Sequence, residues 1–224
     1  MLFKLLLPFA LFASSLAAPT SCDISSAVVD VPSGGALPPP THKVSFVALG
    51  VGTQNYTCSD AGTYTSVGAF AELFDISCLY RTQCFSNITS DAFEVWNAAP
   101  PSVTASRVPQ FLDSLRQFHN PTVLGEHYFV VNPVTGSGLS PKWDFTSRAF
   151  AGNADAFVVG SKISSMASPT SPSNIDWLYL TKAVGSLADE VYRTDTQGGQ
   201  PPASCAPGSN PITVKYTSMY WLTG

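Results

Sequence analysis

The chain predicts a mostly β protein, an antiparallel β-sandwich or barrel-like domain with one accessory helix. Three observations carry that prediction. Short apolar or alternating segments recur between clusters of glycine, proline, serine and asparagine, the turn chemistry of an all-β chain. Only one stretch shows a clean helical period. About two hundred residues remain after an N-terminal leader, enough for one domain with its own core.

Taken in order, residues 1–17 read as a secretory signal peptide. Lys4 precedes an apolar run from Leu5 to Leu16, and Ser15 and Ala17 supply the small residues for a cut after Ala17. The run is shorter than a membrane span. Residues 18–224 then form a single secreted β-rich domain. Its opening, residues 18–42, is a proline-rich arm containing Pro38-Pro39-Pro40, expected to lie extended over the surface. Residues 43–51 are apolar on both faces, as in a strand covered on each side. Gly50-Val51-Gly52 reads as a turn into a second short strand at 55–58, and residues 67–74 follow as another. Residues 77–101 show no pattern that assigns them.

The predicted helix spans 106–118. Val108, Phe111, Leu112, Leu115 and Phe118 share a face, Pro109 falls in the tolerant first turn, and Asn120-Pro121 stops it. Further strands are expected at 127–131, 141–145, 157–164, 176–184, 188–194 and 212–222. Gly185-Ser186 favours a hairpin over a helix between the two that flank it. Nine short strands in all suit a sandwich or barrel.

Composition excludes several partners. Charged residues are 12% of the chain, about half the usual share. Loss of Lys4 with the leader leaves ten basic against fifteen acidic residues. No basic cluster exists to meet nucleic acid or an anionic membrane. Five cysteines in an exported chain suggest two bridges and one leftover thiol, Cys84 being the candidate. Cys58 with Cys205 would close most of the domain, while Cys78 could pair with Cys22 or Cys84. No cysteine or histidine spacing suggests a metal. Asn55-Tyr56-Thr57 and Asn87-Ile88-Thr89 are glycosylation acceptors, expected on a surface loop or strand end.

Chemistry-bearing residues are few. Gly50-Val51-Gly52 lacks the third glycine and following helix of a dinucleotide site, so no cofactor is expected. There is no G-x-S-x-G elbow. His127 beside Glu126 is the best imidazole base, with Asp144 as a second carboxylate, and the three are the catalytic candidates. Trp143 with Tyr128 could make a sugar-stacking face; Trp177, Tyr179 and Trp221 read as core.

The segments ALGVGTQNYTC, HYFVV, PKWDF, IDWLYL, RTDTQGGQPPASC and VKYTSMYWL together resemble a family of secreted fungal and bacterial proteins known as domain of unknown function 3455. The resemblance covers nearly the whole mature chain. It implies a Cys58–Cys205 bridge and one domain from about Ser33 onward, and it carries over no catalytic residue. Some fungal members bear the label malate dehydrogenase, which the broken glycine fingerprint and the export signal oppose. The expected function is a non-catalytic extracellular module that binds cell-wall polysaccharide or another surface ligand. A secreted hydrolase using His127 with a carboxylate is the alternative, and an NAD-dependent dehydrogenase the third.

Overall fold

The computed structural model of the protein describes residues 22–114 and 121–224. The expected leader and positions 115–118 of the expected helix lie outside them. Eight strands form a closed antiparallel barrel in which each strand pairs with its neighbours in sequence and the last returns to the first. They are β1 (Val44–Cys58), β2 (Tyr64–Asp75), β3 (Val123–Val131), β4 (Leu139–Asp144), β5 (Phe157–Met166), β6 (Trp177–Gly185), β7 (Glu190–Gly198) and β8 (Ile212–Thr223). Closure leaves no sheet edge for another chain to extend.

Two expectations about β1 are corrected. The segments 43–51 and 55–58 fall in one strand, so the described residues hold eight strands and not nine, and Gly50-Val51-Gly52 lies mid-strand with no turn. The glycines serve the barrel interior instead. Gly50 faces β8, where a Cβ would come within 2.5 Å of the Tyr220 ring. A bare backbone on β1 therefore makes room for large tyrosines on β8. The hairpin between β6 and β7 forms as expected, with Gly185 at φ +100°, a left-handed conformation that favours glycine.

The helical content also differs. Among the described residues there are two α-helices, α1 (Gln83–Ala98) and α2 (Val108–Ser114), where one was expected. Within α1, Ile88, Thr89, Ala92 and Trp96 are buried against the barrel wall. The run QCFSNITSDAFEVWNA hides that periodicity behind serine, asparagine and threonine, which are indifferent helix formers. Trp96 Nε1 donates to Gly52 O at 2.8 Å, and Lys215 Nζ donates to Trp96 O and Ala99 O at 2.8 and 2.6 Å. A cation on the last carbonyls suits the negative end of the helix.

Apolar residues gather in two layers. The first fills the barrel, with Ala48, Leu73, Trp143, Phe145, Val158, Leu180 and Tyr220. The second lies outside it, between the wall and its coverings. There Val47, Leu49 and Val51 of β1, with Trp177, Tyr179, Tyr192, Met219 and Trp221 of β6–β8, meet α1, α2 and arm residues Val29 and Leu37. The arm is further tied by Thr41 Oγ1 donating to Glu190 Oε1 at 2.7 Å and Tyr192 Oη donating to Pro38 O at 3.2 Å. Disulfides join Cys22 to Cys78 and Cys58 to Cys205, and Cys84 is free. Asn87 is exposed on α1, and Asn55 is half-buried within β1, so neither acceptor occupies a loop.

Candidate functional site

The covered layer reaches Phe74 of β2 and Val123 of β3, and Ser106 bonds Glu72. Beyond them Phe70, Glu126, Tyr128 and Lys142, on the outer side of β2–β4, are half-buried or exposed, and this more open part of the wall collects most of the sequence-predicted site residues. Successive side chains of a strand point to opposite faces. In β3, His127 therefore points into the barrel while Glu126 and Tyr128 point out. In β4, Trp143 points in while Lys142 and Asp144 point out. The register agrees: His127 lies opposite Trp143, Glu126 opposite Asp144, and Tyr128 opposite Lys142.

On the outer face the polar groups interlock. Tyr128 Oη donates to Asp144 Oδ2 at 2.7 Å, and Lys142 Nζ stands 2.7 Å from the same oxygen. Asp144 Oδ1 accepts from Thr146 N and Oγ1 at 3.0 and 2.7 Å. Burial opposes the charge on Asp144, but the bonds from Lys142, Thr146 and Tyr128 outweigh it and hold its carboxyl well below the usual range. Lys142 Nζ also lies 4.4 Å from the centre of the Phe157 ring. Glu72 of β2 faces Glu126 across the β2–β3 pair, making a row Glu72–Glu126–Asp144 across three strands. Burial, with Glu126 adding to it, raises the Glu72 carboxyl against the pull of Arg148. Phe70, two residues before Glu72 and on the same face, is 46% exposed.

Inside the barrel His127 is 2% exposed and stacks on Trp143, ring centres 4.6 Å apart and planes 17° from parallel. Its Nδ1 is 2.9 Å from Lys142 O. A carbonyl only accepts, so Nδ1 carries the proton and Nε2 keeps a lone pair. Desolvation brings the imidazole down to about 3, with the Arg193 charge assisting against the Lys142 carbonyl. His127 is thus a neutral, stacked histidine at ordinary pH.

These positions correct the readings that joined the two faces. A base formed by His127 with Glu126 or Asp144 is not assembled, because the sheet separates the imidazole from both carboxylates. Trp143 and Tyr128 cannot share a sugar-stacking face for the same reason. What the structure brings together is Tyr128, Asp144 and Glu126 outside, and His127 with Trp143 inside. The dinucleotide reading also loses its geometry: Gly50-Val51-Gly52 is followed by more strand, and every strand pairing is antiparallel. Sequence reasoning passed over Glu72, Phe70, Arg193 and Tyr220. Arg193 shares a face with Val191, two residues before it, and so points into the barrel.

An eight-stranded up-and-down barrel, stapled by two disulfides and clothed on part of its wall, defines the class of protein. Within it, residues 38–224 match the family described as protein of unknown function (DUF3455), and the chain belongs to that family. No curated protein and no solved structure matches the chain.

Proposed function

We propose that the protein is a secreted, non-catalytic extracellular module that binds cell-wall polysaccharide through the open wall of the barrel. The observation that supports it best is the outer face of β2–β4, where Phe70 and Tyr128 share a surface with Glu72, Glu126, Asp144 and Lys142. Polysaccharide recognition calls for exposed ring faces against sugar C–H groups, with planar polar groups beside them to meet hydroxyls. The Tyr128–Asp144–Lys142 contacts hold these groups in fixed orientation before any ligand arrives, which lowers the ordering cost of binding. Asp144 is held ionised with both oxygens engaged by Tyr128, Lys142 and Thr146, so it fixes the ring and the ammonium in place and is unsuited to donating a proton.

Export rests on the leader and on two disulfides, which persist in an oxidising compartment. No helix among the described residues is long and apolar enough to cross a membrane. Asn87, exposed on α1, and Asn55 are the positions proposed to carry glycans. Co-sedimentation of the mature protein with insoluble chitin, glucan and cellulose tests the reading. Retention on at least one polymer, lost in a folded Tyr128→Ala, Phe70→Ala double variant, is the expected result. No retention on any of them, or retention that the double variant keeps, would remove the proposal.

A further inference from the structure

The barrel interior has a polar end that the open wall does not explain. Toward the end where β3 leaves and β4 enters, a cavity of about 30 Å³ is lined by His127, Trp143, Tyr220 and Arg193, with Phe129 and Leu178 beside them. Phe129, Leu178 and Arg193 are half-buried, so the cavity meets solvent at that end. The register sets this constellation: Leu178, Arg193 and Tyr220 lie side by side on β6, β7 and β8, opposite the His127–Trp143 pair.

Two groups there are incompletely matched. Trp143 Nε1 is buried without a hydrogen-bond partner, a state that costs free energy unless a ligand or water relieves it. Arg193 donates Nε and Nη2 to the single main-chain oxygen of Asp176, at 3.0 and 2.8 Å. Its remaining N–H groups have no carboxylate within ion-pair distance among the described residues. Beside them neutral His127 adds no charge, and Phe129, Pro141 and Leu178 make part of the lining apolar.

We propose that this end of the barrel binds a small apolar monocarboxylate, its carboxylate meeting the free N–H groups of Arg193 and the indole N–H of Trp143. The cavity has the size of a head group, so the body of the ligand lies across the mouth against Phe129 and Leu178. Guanidinium matches carboxylate in charge and in planar geometry, and an apolar mouth strengthens the pairing by excluding water. Barrel mouths are among the places where small-molecule sites form. This site is on the opposite face of the sheet from the proposed polysaccharide surface, and the two can fail separately.

Calorimetric titration of the mature, disulfide-bonded protein with benzoate, hexanoate, benzyl alcohol and hexanol tests the site. At least one carboxylate is expected to bind at least about tenfold tighter than the alcohol of matching skeleton. Arg193→Met should remove that preference, Trp143→Phe should weaken it, and Tyr128→Ala should leave it unchanged. Should Arg193→Met fail to fold, Leu178→Trp, which fills the mouth without touching the charge, must abolish binding while circular dichroism still reports the barrel. No saturable binding up to about 10 mM, equal affinity for acid and alcohol, or a preference that survives in folded Arg193→Met or Leu178→Trp would overturn the proposal.

Discussion

The wall of this barrel is built in two ways, and β8 and β3 show the difference. From Tyr216 to Thr223 every residue of β8 is buried, because one face fills the barrel and the other lies under α1 and the arm. Ser218 Oγ is buried without a partner, but on the covered face the threonines have them: Thr217 Oγ1 donates to Thr89 O and Thr223 Oγ1 to Glu190 Oε2, each at 2.7 Å. Burial there requires such pairing. On β3 burial falls on one side. His127 is inside while Glu126, Tyr128 and Val130 remain half-exposed. The covered half commits its outer residues to packing, and the open half leaves them half-buried or exposed, where the proposed ligand would meet them.

Substitutions on the two halves should therefore separate stability from binding. Trp96→Ala strikes the covered half, removing a buried ring and its bond to Gly52 O, and should cost about 3–5 kcal/mol in urea unfolding. Tyr128→Ala, at a half-exposed site, should cost about 1 kcal/mol or less while losing the polysaccharide retention. A large stability loss in the second with little in the first would erase the distinction. Replacing Cys58 and Cys205 together with serine opens a link between residues 147 apart in sequence. The loss should be about 2–5 kcal/mol by thermal or urea unfolding, since long loops gain most from closure.

His127 provides a pH test of the interior. The unfolded imidazole protonates near its ordinary pKa of about 6.5, whereas the folded one does so only near about 3. Between those values the unfolded chain binds more protons, so the histidine's contribution is complete above pH 6.5 and is lost as pH falls toward 3. The expected slope is at most about 1.4 kcal/mol per pH unit. The stability difference between wild type and His127→Phe, followed by urea unfolding from pH 7 to 4, should shift in the variant's favour as pH falls. A difference independent of pH would place the imidazole in solvent. The smallest effect belongs to Asn87→Gln. It should leave unfolding unchanged and remove one enzymatically releasable glycan from protein secreted by a eukaryotic host, read by mass spectrometry.

Much of this contrast was legible in residues alone. β3 and β4 were expected at 127–131 and 141–145, short of their full Val123–Val131 and Leu139–Asp144, and the turn at Gly185-Ser186 was read from its chemistry. The covered face of β8 was not legible, because Thr217 and Thr223 look like surface residues until their acceptors on α1 and β7 are known. The helix α1 escaped notice because Ser86, Asn87, Thr89 and Ser90 mask the spacing of Phe85, Ile88, Ala92 and Trp96. For the site, residue type pointed to His127, Trp143, Tyr128, Glu126 and Asp144, and all five do cluster on β3 and β4. Their division between two faces follows from the pleat, yet reaction chemistry drew His127 toward carboxylates that the sheet keeps apart. Glu72 and Arg193 joined the picture only through pairing between strands distant in sequence.

The central claim is that the open wall, and not the covered half, meets the polysaccharide. Amide and side-chain chemical shifts of the mature protein, recorded while a soluble oligosaccharide of the retaining polymer is added, test it most directly. The account predicts that saturable shifts cluster at Phe70, Glu72, Glu126, Tyr128 and Lys142 and spare Trp96, Trp177 and Trp221. Shifts centred on α1 and the arm, with the Tyr128 signals unmoved, would contradict it.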